Sequence, residues 1–412
     1  MFLLSKALKT MIQRGTLTVI GPRGQRIVAG DGAEPQVTVR LHDTATVNRI
    51  SLNPGLAVGE AYMDGRLTVE NGAIYDLIEL AMRNVGWGDV DFMGKLGSLL
   101  RRIGRRFQQF NPVDRAKQNV AHHYDLSGQL YELFLDADRQ YSCAYFGTPS
   151  DTIDVAQERK KRHIAAKLRL EPGMRVLDIG SGWGGLGLFL AKTAGVEVLG
   201  CTLSEEQLKV SNARAKQQGL DGRVQFILQD YRQLTSQFDR IVSVGMFEHV
   251  GVNHYDAFFR KCRELLKPDG VGLLHHIGRS DGPGTTNAWI RKYIFPGGYS
   301  PALSEVVPVM ERQRLMVTDV EVLRLHYAET LKAWRERFQA NRDKVKALYD
   351  ERFCRMWEFY LGASEATFRY GGHVVFQIQF TRDVNALPIT RDYMVDWERA
   401  HAPAAARDIA AD

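Results

Sequence analysis

Cysteine is scarce and scattered. The 412-residue sequence holds four, Cys143, Cys201, Cys262 and Cys354, and none stands in CxxC or CxxH spacing. The lack of that spacing argues against a zinc site and a disulfide framework and makes a reducing compartment the expectation. Long apolar runs are missing as well: no stretch approaches the roughly 20 residues that span a bilayer. The opening "MFLLSKALKTMIQRG" has too short an apolar stretch for a signal peptide, and no A-x-A cleavage site follows. A cytoplasmic protein is therefore expected. No internal repeat is visible. Acid is locally absent: between Phe92 and Val113 there is none, against Lys95, Arg101, Arg102, Arg105 and Arg106.

That basic segment, "GKLGSLLRRIGRRFQQF", sets Leu96, Leu99, Leu100, Ile103 and Phe107 at helical spacing, with the arginines largely on other faces. A basic amphipathic helix can lie on an anionic membrane surface. A linker helix packed on its own protein, its arginines in water, explains the same pattern. No aromatic-studded basic motif accompanies the charge, so no nucleic-acid partner is expected. Before this segment, "TLTVIG", "QRIVAG" and "QVTVRL" alternate as strands, and "AIYDLIELAMRNV" follows as a helix. Residues 16–86 thus read as a small α+β unit. From about Lys117 helices and strands alternate, which predicts a parallel sheet. The expected division is 1–90 for the N-terminal domain, 91–116 for the basic linker, 117–400 for the larger domain and 401–412 for a tail.

The most informative stretch is "MRVLDIGSGWGGLGLFLAKTAG" at 174–195. Val176, Leu177 and Ile179 make a short buried strand. Gly180, Gly182, Gly184 and Gly185 then permit a tight turn and close approach to a ligand, and a helix follows. Dinucleotide-binding folds use the same device. Here Asp178 precedes the loop within the strand, as in D-x-G-x-G loops that hold the amino-acid part of S-adenosylmethionine. The spacing is also G-x-G-x-G-G, not the dinucleotide G-x-G-x-x-G.

Three further strand exits are expected to converge with this one, because open α/β sheets bind ligands at the carboxyl ends of their strands. The second strand lacks the usual ribose-gripping acid at its end and offers Thr202, Ser204 and Gln207 instead. Ser204 and Gln207 also read as an S-x-x-Q capping box. The third ends in Asp230, Tyr231 and Arg232, and the fourth is "FDRIVSVGMFEHVG". Upstream lies "YSCAYF", whose Cys143 could be a nucleophile, a metal ligand, a redox thiol or a small apolar filler, filler being the usual role of a buried cysteine.

At this point the sequence resembles the cyclopropane-fatty-acyl-phospholipid synthases and the related mycolic-acid cyclopropane synthases and fatty-acid methyltransferases. The matching stretches, in the family's order, are "HHYDLSGQLYELFLD", "YSCAYF", "LDIGSGWGG", "CTLSEEQ", "VGMFEHVG", "LLHHIG", "WIRKYIFPGG", "HYAETLKAW" and "RMWEFYL". The resemblance implies a class I methyltransferase fold, a Rossmann-like doubly wound sheet preceded by a small α+β lipid-binding domain. It implies an S-adenosylmethionine-dependent enzyme acting on cis double bonds of unsaturated phospholipid chains at the inner face of the membrane. The family is often dimeric, which makes a homodimer an implied partner arrangement.

Residue by residue, the resemblance assigns cofactor contacts to Tyr141, Ser142, Asp178, Gly180, Ser181, Gly182, Thr202, Leu203, Ser204, Gln207, Tyr231 and Arg232. Ser181 departs from the cysteine many members carry. A bicarbonate ion beside the sulfonium is implied, with Cys143, Glu248, His275, Ile277 (through its backbone) and Tyr327 as its ligands. No metal is implied.

The chemistry sets its own demands. An isolated alkene is a poor nucleophile, so it must be pressed against the sulfonium methyl in a dry pocket. The resulting carbocation is tolerated by aromatic faces and repelled by a lysine. Phe247, Tyr145, Tyr293, Phe295, Trp334 and Tyr360 are candidates for such a wall, with core packing as the alternative for each. Ring closure then needs a base near the added methyl, and bicarbonate is expected to serve. Three alternatives stay open: a fatty-acid methyltransferase giving methyl- or methylene-branched chains or furan precursors, a non-catalytic lipid-binding protein, and a small-molecule methyltransferase.

Overall fold

The computed structural model describes residues 1–85 and 127–402. The expected basic linker at 91–116 and most of the 401–412 tail lie outside them. Packing separates the described residues into two units. One contains 1–85 with Gly284–Pro296 and Tyr327–His373. The other contains 127–283, Gly297–His326 and 374–402.

The first unit begins with helix α1 (Phe2–Met11) and a four-stranded sheet of β1 (Thr16–Ile20), β2 (Arg26–Gly30), β3 (Gln36–Leu41) and β4 (Leu67–Asn71), in the order β2-β1-β3-β4. Period-two alternation turns Leu17 and Val19 of β1, and Val37, Val39 and Leu41 of β3, into its core. Between β3 and β4 stand α2 (Thr44–Leu52), capped by Asp43 accepting from the Thr46 N–H at 2.6 Å, and α3 (Pro54–Met63) with proline in its first turn. Helix α4 (Ile74–Val85) buries Ile74, Leu77 and Leu80.

The sequence reading kept 284–296 and 327–373 within a 117–400 domain. Packing instead groups them with the N-terminal residues, for identifiable reasons. The helix Glu351–Tyr370 lies against α3 and α4. Its buried Glu358 accepts from Tyr62 Oη at 2.8 Å, and Glu60 of α3 accepts from Lys292 Nζ at 2.7 Å and Tyr293 Oη at 2.9 Å.

The second unit carries a seven-stranded sheet in the order β10-β11-β9-β8-β5-β6-β7. Its strands are β5 (Arg175–Ile179), β6 (Glu197–Thr202), β7 (Val224–Leu228), β8 (Phe238–Val244), β9 (Leu266–Arg279), β10 (Met316–Leu323) and β11 (His373–Thr381). Strands β5 to β9 pair in parallel, and β10 runs antiparallel to β11. Strand β5 is buried on both faces from Val176 to Ile179, which is why it reads as an unbroken apolar run around Asp178. The chain winds outward through β6 and β7 and returns to the other side of β5 as β8. The switch point therefore falls at the carboxyl end of β5.

The remaining helices that matter here are α5 (Gly128–Phe134), α6 (Ile153–Leu168), α7 (Gly185–Ala194) and α8 (Glu205–Gln217). Gly195 closes α7 at φ +66°, as its position after the helix requires.

Candidate active site

The four strand exits do converge. One pocket in the second unit is lined by Asp178 to Trp183 at the end of β5, Cys201 to Leu203 at the end of β6, Gln229 to Arg232 after β7 and Val244 to Met246 at the end of β8. Tyr141 and Ser142 complete its wall.

The glycine loop is held by its own backbone: Gly180 and Ser181 both donate N–H bonds to the Cys201 carbonyl at 3.0 Å. Gly180 has φ +82°, and a Cβ there would lie 2.8 Å from Met246 Cβ. Asp178 Oδ2 and Ser181 Oγ are buried with no hydrogen-bond partner among the described residues. Burial pushes the Asp178 carboxyl up to about 7, with Lys160 pulling the other way. A carboxylate in this state is stabilised by any cation that enters the pocket.

After β6, Thr202 Oγ1 donates to Gln207 Oε1 at 2.9 Å and accepts from the Ser204 N–H at 3.2 Å. Ser204 caps α8 by accepting from the Gln207 N–H at 3.3 Å. The reciprocal half of the expected capping box is replaced, since the Gln207 side chain turns to Thr202. Ser204 itself does not line the pocket. After β7, Asp230 takes the Arg232 guanidinium at 2.8 and 2.6 Å, so Arg232 lines the pocket with its charge already paired. Tyr231 stands edge-on to Phe258.

The sequence reading missed Lys160. It is fully buried, and its Nζ donates to Ser142 Oγ at 2.9 Å and Gln140 Oε1 at 2.7 Å. In "AQERKKRH" it reads as one cation on a solvated helix face, and no local signal separates it from its neighbours.

A second group of expected residues lies off this pocket's lining. Glu248 is buried; its Oε1 accepts from the Ile277 N–H at 2.5 Å, and its Oε2 has no partner among the described residues. Burial raises its carboxyl to about 7, opposed by that backbone bond. The Ile277 N–H, expected to face an anion directly, is thus spent on orienting Glu248. His275 lies two residues earlier on β9, on the same face as Ile277. Gln377 Nε2 is 3.1 Å from His275 Nδ1. An amide nitrogen only donates, so Nδ1 accepts and the ring proton stands on Nε2. That Nε2 is buried without a partner among the described residues, and burial keeps the ring neutral.

Its neighbour His276 packs between Phe247 and Phe376. Cys143 is buried, its Sγ 3.3 Å from the Ala144 carbonyl. Tyr327, the last of the five, belongs to the other unit, where it contacts Trp334 and Phe368.

The aromatic candidates divide in the same way. Phe247 has no exposed surface and stacks on Tyr255 at 4.4 Å, with Phe258 and Phe259 around it, so it is core and not a cation wall. Tyr145 stacks between His163 and His326. Tyr293, Phe295, Trp334 and Tyr360 are in the first unit.

Comparison with known proteins agrees with this geometry. The family model described as mycolic acid cyclopropane synthetase matches residues 112–378, and a domain of unknown function matches 3–86. The cyclopropane-fatty-acyl-phospholipid synthase of Escherichia coli K12 is 39% identical over 365 residues, 88% of this chain and 93% of that protein. The tuberculostearic acid methyltransferase UfaA1 of Mycobacterium tuberculosis is 35% identical, covering 92% of each chain.

Among solved structures, the mycolic acid cyclopropane synthase CmaA1 complexed with SAH and CTAB superposes with a TM-score of 0.62 at 34% identity, over 66% of this chain and 99% of that one. Coclaurine N-methyltransferase, at 19% identity and a TM-score of 0.65, shares the fold. The unpartnered Asp178 and Ser181 atoms beside a glycine loop fit a cofactor carrying an ammonium and hydroxyls, as S-adenosylmethionine does. By sequence match, superposition and pocket chemistry together, this chain belongs to the mycolic acid cyclopropane synthetase family, enzymes dependent on S-adenosylmethionine with a class I methyltransferase fold.

Proposed function

We propose that the protein transfers a methylene group from S-adenosylmethionine to the cis double bond of unsaturated phospholipid acyl chains, forming a cyclopropane ring. The observation that carries this reading is that Glu248 Oε2, an acceptor, and the His275 Nε2–H, a donor two residues before the Ile277 that holds Glu248, are both buried without a partner among the described residues. A small anion that both donates and accepts fits that pair, and bicarbonate is such an anion. When bound, bicarbonate supplies the base for the proton lost from the added methyl. Glu248, held by Ile277, accepts from the anion, and His275, held by Gln377, donates to it. Cys143 is assigned to the same set by the family resemblance. In the cofactor pocket, Asp178 is assigned to the ammonium and the segment after β7 to the adenosine.

The similarity over most of the chain to a named phospholipid synthase supports the substrate class. A peripheral position on the membrane and a lipid-binding role for residues 1–90 are part of the same reading. They are supported by α1, which exposes Phe2 and Leu3 beside Lys6 and Lys9. A second reading, methylation without ring closure, is favoured by the similarity to UfaA1. Both begin with methyl transfer to the alkene; they differ in whether the cation loses a proton from the new methyl or is quenched otherwise.

Incubation with S-adenosylmethionine and unsaturated phospholipid vesicles, followed by mass spectrometry and NMR of the acyl chains, separates them. Cyclopropanation adds one CH2 and gives ring protons. Alkenyl protons at the same mass indicate a methylene product, and a further gain of two hydrogens when a hydride donor is added indicates reductive methylation. Either of these overturns ring formation.

A further inference from the structure

The segment that carries Tyr141 and Ser142 is held by one face of α6. Gln157 Nε2 donates to the backbone carbonyls of Gln140 at 3.2 Å and Ser142 at 2.9 Å. One turn on, Lys160 Nζ donates to the side chains of the same two residues, and Lys161 Nζ donates to Asp138 Oδ2 at 2.6 Å. Positions 157, 160 and 161 share a helix face by their spacing, and this face is turned inward.

The polarity of these bonds is fixed by chemistry. An ammonium has three donors and no acceptor. Ser142 Oγ must therefore accept from Lys160, which leaves its own proton to be donated elsewhere. Gln140 Oε1 must likewise accept, and its Nε2 is thereby aimed at Asp138 Oδ2, 3.0 Å away. Ser142 and Gln140 both line the pocket. Among the described residues the Ser142 hydroxyl has no acceptor for its own proton, so that acceptor is to come from a ligand.

We propose that Lys160 is the positioning residue for the carboxylate end of S-adenosylmethionine. Its ammonium fixes Ser142 as a hydrogen-bond donor towards the pocket and sets a buried positive charge behind that donor. This rests on S-adenosylmethionine seating among the four strand exits. A buried lysine is costly, and burial lowers its pKa to about 8, with Asp136 and Asp138 restoring part of the charged state. Neutral residues of similar shape would pack at lower cost. What the charge supplies is directionality: a neutral side chain at 160 leaves the Ser142 proton free to turn inward.

The test compares two ligands on the full-length protein by calorimetry. S-adenosylhomocysteine carries the carboxylate; 5′-methylthioadenosine shares the adenosine and lacks the amino-acid part. Lys160→Met is expected to weaken S-adenosylhomocysteine binding by about tenfold or more, the scale of one charge-assisted contact. Methylthioadenosine affinity is expected to stay within about twofold, and Lys160→Arg is expected to restore part of the loss. Equal loss for both ligands means a collapsed pocket wall and overturns the proposal, as does no loss for either. Should Lys160→Met fail to fold, Ser142→Ala carries the test, since it removes only the hydroxyl. It must show the same carboxylate-selective loss, and unchanged binding overturns the proposal. Absence of S-adenosylhomocysteine binding to the unaltered protein overturns the pocket reading itself, a result distinct from any of these.

Discussion

The Ile277 backbone N–H donates to Glu248 Oε1 across 2.5 Å, which leaves the second carboxylate oxygen buried without a hydrogen-bond partner among the described residues. Burial raises this carboxyl from an ordinary 4.5 to about 7. A carboxyl raised on folding binds its proton more tightly in the native state, so it costs stability as pH rises from about 4.5 through 7. Glu248→Gln is expected to keep the Ile277 bond, to stabilise the fold at pH 8 by on the order of 3 kcal/mol, and to leave it unchanged near pH 4.5. Turnover on lipid vesicles is expected to fall by about a hundredfold or more, with cofactor affinity retained. Thermal melts at the two pH values, with calorimetry and product assays, check this. Parallel loss of turnover and cofactor binding would remove the assignment.

Asp178 makes a related prediction with a different readout. Its Oδ2 is unpartnered among the described residues and its carboxyl stands at about 7. An ammonium arriving beside it lowers that value. Binding of S-adenosylmethionine at pH 7 is therefore expected to release a fraction of a proton, seen as a buffer-dependent calorimetric enthalpy. Asp178→Asn is expected to abolish the release and weaken binding by about tenfold or more. Proton uptake, or an unchanged release in the variant, would contradict the placement of the ammonium.

The cofactor pocket was legible because backbone demands write themselves into sequence. A D-x-G-x-G-G run after a short apolar strand specifies both the turn and its place in a parallel sheet, and the strand exits follow from topology. The α6 clamp was not legible. Gln157, Lys160 and Lys161 belong to a helix that is polar by composition yet buried along most of its length, because α7, β9 and the helix Asp392–Ala400 pack against it. Burial of charge is a property of what arrives from elsewhere in the chain. Phe247 shows the converse: an aromatic beside Glu248 suited a cation wall, and only its packing on Tyr255 reveals it as core. Likewise a contiguous 117–400 domain supposes that packing follows sequence order throughout that range. Glu60, holding Lys292 and Tyr293, shows that it does not.

Gly180 tests the loop directly. Its φ of +82° places an alanine in the left-handed region, and the added Cβ meets Met246 Cβ at 2.8 Å. Gly180→Ala is expected to cost about 1–2 kcal/mol from the backbone alone, and to weaken cofactor binding as Met246 is pushed aside. Denaturant melts and calorimetry measure both. Wild-type affinity in a folded variant would show that the loop does not approach the ligand closely.

His163 offers a pH test remote from the pocket. Its Nδ1 contacts Glu398 on the helix Asp392–Ala400, and its Nε2 is 2.6 Å from Glu321 on β10. Lys167 also reaches Glu321, and Tyr145 stacks on the His163 ring. Burial opposes charge on the imidazole, and Lys167 adds to that opposition, but the two carboxylates outweigh them and the pKa is raised above 6.5. A histidine raised on folding contributes stability that is fully present below its unfolded value and is lost as pH climbs through its folded one. His163→Gln is thus expected to lower the melting temperature more at pH 6 than at pH 9, because the charge-dependent part of the wild-type stability declines as pH rises through the folded pKa. Limited proteolysis is expected to cut near Glu398 sooner in the variant at pH 6, because the bridge to the C-terminal helix is gone. A melting difference that is the same at both pH values would mean that His163 holds these elements by shape and not by charge.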